Sequence, residues 1–231
     1  MLNQYITETQ ELLNDQLGQF FKLPMVTRYV NKSRRRIAGV SGCIRCMPPG
    51  TQTHPQQEVY PFSDWISLIQ GVMPGVESIL ACRSLAVAIG PRGWKPLWRR
   101  IVWTDFQSRF RIYNGTFYGT ISEPGWYAQY GAGPLGALYL APIPSQSTTM
   151  EVDLTLIPAP LLSDDDIEII PYPWCDAVPY WAATLLLLAQ QRREDASAMA
   201  LLFNAELPAC AAVVAPQMIQ STYAPGIQRS A

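Results

Sequence analysis

Few residues in this chain could do chemistry, and their spacing is poor for it. His54 is the single histidine and lies in the run MPPGTQTHPQQ, residues 47–57. A Ser-His-Asp triad, a paired-histidine metal site and most zinc hydrolase centres need a histidine set on a rigid element, or more than one. Cys43 and Cys46 form one C-x-x-C pair. Zinc would need two further ligands, and His54 and Cys82 stand at neither finger nor ribbon spacing. A redox pair requires a βαβ setting, which the surrounding pattern lacks. The pair reads as two semi-buried thiols at a helix end. Asp164, Asp165, Asp166 and Glu168 invite a calcium or magnesium reading. The alternating ligands, glycine and distal Glu of a calcium loop do not follow, and acids after Ser163 suit the cap and dipole of a helical turn. No phosphate-cradling G-x-x-x-x-G-K-[ST] or dinucleotide-binding G-x-G-x-x-G occurs; Gly131, Gly133, Pro134 and Gly136 read as a loop between strands. The expectation is a protein that is not an enzyme, with no catalytic residue, no cofactor and no metal.

The cluster that remains is Lys32, Arg34, Arg35 and Arg36. Arginines on a helix face neutralise phosphates without reading base sequence. The same cluster suits contact with an acidic surface of a neighbouring subunit. Net charge is −1 but unevenly placed: residues 16–57 hold seven basic side chains and no acid, whereas residues 112–231 hold three basic against eleven acidic. Such polarity fits head-to-tail contact between copies, or a basic face toward nucleic acid.

Charged residues make up only 15 % and aromatics reach 11 %. Either much of the surface is covered by assembly, or the chain holds a large β-rich core. Five cysteines, an odd number, with no secretory leader in the opening MLNQYITE, point to reduced thiols in a cytosolic setting. The apolar run 177–189 would span about 20 Å as a helix, short of a bilayer core of ~30 Å, so no membrane partner is expected.

Helices must position these residues. Residues 3–20 carry an apolar stripe of Tyr5, Ile6, Leu12, Leu13, Leu17 and Phe20. A second helix from Pro24 to about residue 40 forms an antiparallel hairpin with the first and bears the basic cluster on its exposed face. From residue 58 to 158 the pattern turns β-like, with strands expected near 58–62, 78–89, 97–104, 109–113, 116–121, 136–139 and 150–157. Asn114 and Gly115 predict a two-residue hairpin turn. Residues 63–70 suit one or two helical turns capped by Ser63.

After Pro158 helix returns. A short acidic helical turn from Ser163 and a Pro171-Tyr172-Pro173 corner lead into a helix over 176–191. Asp176 is expected as its N-cap, Pro179 in its first turn, and Trp181 and Leu185 in the protomer core. A further helix covers 193–206, Pro208 ends or kinks it, and 209–218 is a separate Ala- and Val-rich segment. The fold class is therefore α+β: a helical bundle from the N- and C-terminal segments (1–47 and 159–216), with a large β-rich, sandwich- or barrel-like insert (48–158). Residues 217–231 form a flexible or partner-docking tail.

Two segments carry a resemblance. YITETQELLNDQ (residues 5–16) followed by VTRYVNKSRRRIA (26–38), and DDDIEIIPYPWCDAVPYWAATLLLLA (164–189) followed by RREDA (192–196), resemble the opening and closing helices of tailed-phage head-to-tail adaptor (head-completion or connector) proteins. The resemblance covers about a third of the chain, and the β insert goes beyond the compact helical members. It implies a structural virion protein, assembled in the host cytoplasm and placed in the neck. There a homo-oligomeric ring, usually of twelve copies, docks on the portal protein, extends the channel for packaged DNA and offers a platform to the tail or nozzle protein. Lys32, Arg34, Arg35 and Arg36 would face DNA or a neighbouring subunit. Gln217, Tyr223, Ile227 and Arg229 would belong to a portal-docking tail. The alternative is a β-rich virion binding module for carbohydrate or a host surface, its sugar-stacking set being Trp94, Trp98, Trp103, Trp126, Tyr127 and Tyr130.

Overall fold

The computed structural model describes residues 1–87, 98–110 and 121–218. The fold is mixed α+β. In chain order the elements are α1 (Leu2–Leu12), α2 (Leu23–Ser41), β1 (Arg45–Cys46), β2 (Val59–Pro61), α3 (Phe62–Val72), β3 (Val76–Val87), β4 (Arg99–Arg100), α4 (Trp103–Phe110), β5 (Ile121–Ser122), β6 (Trp126–Tyr130), β7 (Ala137–Ala141), β8 (Ile143–Pro144), β9 (Met150–Pro158), α5 (Val178–Ala189) and α6 (Arg193–Met218). They divide into a helical unit, residues 1–37 with the chain from 171 onward, and a β-rich unit, residues 38–170. These limits lie outside the expected 48 and 158 for a physical reason. Strand β1 pairs with β9, Leu156 N–H donates to the Ile44 carbonyl at 3.0 Å, and Ala159 N–H donates to the Gly75 carbonyl at 2.7 Å. Backbone pairing thus ties residues 44–46 and 159 to the sheet.

In the helical unit, α1 stops at Leu12 rather than running on to residue 20. Asn14 takes a left-handed conformation (φ 54°), Asp15 N–H donates to the Gln10 carbonyl and Asn14 N–H to the Glu11 carbonyl. This pair of bonds is a Schellman closure with Asn in place of the usual Gly. Asp15 is buried: its carboxylate accepts from the N–H groups of Gln19, Phe20 and Phe21 and holds the loop into α2. Leu17 and Phe20 consequently leave the expected stripe and stand exposed. Helix α1 packs on α5, which also packs on α6.

Helix α5 is fed by a 3-10 turn, Trp174–Ala177. The turn supplies the first carbonyl acceptors, so Asp176 does not cap the helix, and no side chain does. Pro179 sits in the first turn as expected. The buried face is Val178, Pro179, Ala182, Ala183, Thr184, Leu186 and Leu187; Trp181 and Leu185 are only half-buried and Leu188 is exposed. Periodicity could not choose the face, because the helix is apolar nearly all round. Helix α6 runs unbroken through Pro208, against expectation. It buries Ala196, Phe203 and Cys210, one residue in seven. The proline forfeits one hydrogen bond, which the flanking Ala, Leu and Glu and the burial of Cys210 offset.

The β-rich unit holds an antiparallel sheet in the order β1-β9-β3 and a second sheet, β2-β7-β6-β4, in which β4 pairs parallel with β6. A short parallel pair joins β5 and β8. No sheet closes into a barrel among the described residues. Val76, Ile79, Cys82 and Leu85 of β3 and Val152, Leu154 and Leu156 of β9 are all buried. Away from β9 the backbone of β3 is met by side chains and a loop: Gln129 of β6 accepts from Cys82 N–H and donates to the Leu80 carbonyl, both at 3.0 Å, and Trp98 N–H donates to the Leu85 carbonyl at 2.9 Å. An unpaired edge invites foreign strands, and these contacts stand in for one.

Several expected strands differ. Of the expected strand 97–104, the described residues 98–104 hold strand only at Arg99–Arg100, and Trp103–Phe110 is helix. Phe106 points into a core of Ala128 and Ala141, with Trp103 and Phe110 three before and four after it on the same helix face. The aromatic content suggested a strand; the i, i+3, i+7 spacing is helical. Residues 111–120, with Asn114 and Gly115, lie outside the described residues. Strand β6, unexpected, is the WYAQY run. Helix α3 extends over three turns without a Ser63 cap, since the Ser63 hydroxyl donates to the Asp64 carboxylate instead. The acidic stretch after Ser163 is no helix: Asp166 accepts from the N–H groups of Leu162 and Ser163 at 2.5 and 2.7 Å and closes a turn.

Gly136 has ordinary φ, so its need is space. A Cβ there would meet Phe62 Cδ2 at 2.4 Å and Ala132 Cα at 3.0 Å. Phe62 is buried, so the ring has nowhere to retreat. Gly136→Ala is expected to cost about 2 kcal/mol of stability in urea denaturation, an overpacking effect.

Candidate functional site

The basic cluster divides on the surface of α2. Arg34 is 1 % exposed and is the largest fully buried side chain among the described residues. It was expected on the outer face; its guanidinium Nη1 instead donates to Asn31 Oδ1 at 3.1 Å. Lys32, Arg35 and Arg36 are exposed, as is Arg28 one turn earlier. At about 100° per residue, Arg28, Lys32 and Arg35 form one line, with Arg36 beside it. Val26, Val30, Ser33 and Ile37 are buried on the opposite side, where the Ser33 hydroxyl donates to the Val178 carbonyl at 2.7 Å. Lys32 Nζ stands 4.9 Å from the Tyr29 ring centre, and the Arg36 guanidinium 5.6 Å from that of Trp181. Helix α2 holds no acid, so the outer line is uniformly positive. The i, i+4, i+7 spacing of Arg28, Lys32 and Arg35 was readable in the sequence; the burial of Arg34 was not.

A second charged feature of the helical unit draws on distant parts of the chain. Glu8, Glu11 and Leu12 of α1, Asp176, Pro179 and Tyr180 at the entry to α5, and Glu206 of α6 line a cleft of about 490 Å³. No spacing rule brings these segments together, so no sequence signal could have found it.

The tail expected to dock on a partner lies mostly outside the described residues. Gln217 belongs to the last turn of α6, while Tyr223, Ile227 and Arg229 are beyond the described chain.

The aromatic set is less open than expected. Trp98 and Tyr127 are buried, Trp103 and Trp126 are half-buried, Tyr130 is exposed, and Trp94 lies outside the described residues. Trp103 packs on Tyr139 and Tyr130, with ring centres 4.4 and 5.0 Å away. Trp126 has the guanidinium groups of Arg99 and Arg109 at 5.3 and 6.0 Å. These rings are occupied by one another and by arginines within the fold.

Cys43 follows α2 half-buried and Cys46 is buried in β1; burial raises both thiols. Burial pushes Cys82 up from 9.0 to about 12 and also raises Tyr127, whose hydroxyl donates to the Arg83 carbonyl at 3.2 Å. Such thiols are poor nucleophiles. Among the described residues no group of three or more His, Cys, Asp or Glu could hold a metal ion, and no helix is long and apolar enough to cross a membrane.

Cys82 gives stability a pH dependence. The unfolded thiol ionises near pH 9.0, whereas the folded one holds its proton to about 12. The folded state therefore binds more protons between these values. Its contribution is full below pH 9 and falls by about 1.4 kcal/mol per pH unit above it. Cys82→Ala is expected to lower stability at pH 8 and to flatten the loss between pH 9 and 11, read from urea denaturation at each pH.

Arg45 and Asp153 form a two-point ion pair between β1 and β9, with Arg45 Nε donating to Asp153 Oδ1 at 3.2 Å. Asp153 is buried, so this pair serves the sheet rather than a ligand.

The sequence matches no protein-family model and no curated protein. The fold is mixed α+β in two units, and the basic line of α2 and the acid-lined cleft both lie on the helical one.

Proposed function

We propose that this chain is a structural virion protein, the subunit of a head-to-tail adaptor ring. The helical unit is a bundle contributed by both ends of the chain, and the β-rich, sandwich-like unit is its insert. The ring docks on a portal protein, extends the channel for packaged DNA and carries the tail or nozzle. Twelve copies, a neck location, assembly in the host cytoplasm and non-sequence-specific contact with DNA belong to the same reading. The resemblance of residues 5–16, 26–38 and 164–196 to the adaptor group supplies the class.

The carrying observation is the surface of the helical unit. Leu17, Phe20, Tyr172 and Leu201 are 70–83 % exposed. In a chain with only 15 % charged residues, large bare apolar side chains favour a protomer that is covered by its own copies or by a partner. The chain from residue 217, broken at Pro225-Gly226, suits the portal contact.

The other reading, a β-rich virion module for carbohydrate or a host surface, rests on Trp103, Trp126 and Tyr130, since Trp98 and Tyr127 are buried. Negative-stain electron microscopy of the purified protein, with and without portal, separates the two. Rings that stack on the portal are expected. A monomer that neither forms rings nor binds portal, yet binds glycans on an array, would overturn the adaptor reading.

A further inference from the structure

We infer that the acid-lined cleft of the helical unit receives the basic line of α2 from a second copy of this chain, in a heterologous head-to-tail contact. The inference rests on the self-association in the reading above, but not on a portal or a virion.

Both halves lie on one unit and carry opposite charge. The cleft presents Glu8, Glu11, Asp176 and Glu206 around the apolar Leu12, Pro179 and Tyr180, and among the described residues no base lines it. The side-chain contacts of its carboxylates are to neutral donors: Gln4 Nε2 to Glu8 at 2.9 Å, and the thiols of Cys175 and Cys210 to Asp176 and Glu206 at 3.4 and 3.9 Å. None of the four pairs with a cation among the described residues. On α2, Arg28, Lys32 and Arg36 likewise have no carboxylate partner among the described residues. Four carboxylates brought together in one cleft repel one another, and a docked cation row relieves that repulsion.

Geometry makes the contact intermolecular. The basic line stands opposite the buried face of α2, so it is presented outward from its own core. From Arg28 to Arg36 it extends about 12 Å along the helix at ~1.5 Å per residue. A cleft of about 490 Å³ has room for several such side chains, too much for one bound ion. The apolar wall of Leu12, Pro179 and Tyr180 suits the methylene stems of Arg and Lys, whose charged ends then reach the carboxylates. Because the two surfaces differ, the contact is not self-symmetric, and repeating it gives a ring or a filament. Duplex DNA would match the basic line but is repelled by the cleft, so DNA leaves the cleft unexplained.

Charge reversal and exchange test the contact on the full chain. One variant carries Glu8→Lys with Glu11→Lys, the other Arg28→Glu with Lys32→Glu. Self-association is read by sedimentation velocity over a concentration series, with circular dichroism as a check of folding. Each variant alone is expected to associate about tenfold or more weakly than the parent. An equimolar mixture is expected to regain association, because every cleft in an alternating array again meets an opposite charge. Higher salt weakens the parent contact. Where a lysine pair disturbs folding, Glu8→Gln with Glu11→Gln is expected to give a smaller loss in the same direction. Folded variants that associate like the parent, or whose mixture regains nothing, overturn the inference. If rings persist in those variants, the ring reading survives and this contact alone falls. A parent that stays monomeric sinks both. A basic-line variant that loses binding to duplex DNA while associating normally assigns that line to DNA and overturns the contact.

Discussion

Arg34→Ala is expected to lower the unfolding free energy by about 3 kcal/mol, the largest effect of any substitution in the basic cluster. The guanidinium is 1 % exposed and its Nη1 donates to Asn31. Truncation removes a buried volume and leaves the groups around it without a donor, and each such group costs about 1–3 kcal/mol. Arg34→Lys is expected to recover part of the loss, because an ammonium keeps the charge but not the planar fork. Arg28→Ala and Lys32→Ala on the outer line should stay within about 0.5 kcal/mol. Arg36→Ala should cost about 0.5–1 kcal/mol through its contact with Trp181. Urea denaturation of the five variants makes the comparison. Equal, small effects at all four positions would mean that Arg34 is a surface residue like its neighbours. The functional consequence is direct. Arg34 cannot be counted among the residues offered to DNA or to another subunit, and any assembly defect of Arg34→Ala comes through folding.

Leu186→Ala is expected to cost about 3 kcal/mol, and Leu188→Ala less than about 0.5 kcal/mol in the isolated protomer. Two residues apart on α5, they differ in what covers them: Leu186 is fully buried and Leu188 is about half exposed. Truncating Leu186 removes three carbons from a packed site and leaves a cavity. The pair also separates two roles of this apolar helix. A loss of thermal stability identifies its core side, whereas a loss of self-association at unchanged stability identifies a side that a neighbour covers. If Leu188→Ala destabilises the dilute protomer as much as Leu186→Ala, the helix is rotated from the orientation described.

The helices were legible where the stripe was narrow. The end of α2, the place of Pro179 and the long pairing partners β3 and β9 follow from local patterns. The alternation of β9, with Val152, Leu154 and Leu156 on one side, is a period-two signal. The failures share a cause. Cap and dipole rules give Asp166 and Ser63 helical roles, yet each side chain bonds to whatever donor or acceptor lies nearest. Helix α6 carries two prolines beyond Glu206, a local signal strong enough to end most helices, and the chain continues because Cys210 and the residues before it are held by packing. Residues 103–110 take the ends of two expected strands, 97–104 and 109–113, and the segment between them; their helical spacing prevailed because Phe106 had a core to enter.

The sequence by itself determined the mixed α+β class, the presence of a single histidine, the apolar character of α5 and the crowding of positive charge before residue 57. Those are properties of composition and short-range spacing, which any fold of this chain must keep. Tertiary structure alone decided which side of α5 is core, that Arg34 is interior while Arg28, Lys32, Arg35 and Arg36 are not, and that Glu8, Glu11, Asp176 and Glu206 share one cleft. Burial and long-range charge depend on which distant segments meet, and no local period encodes that meeting.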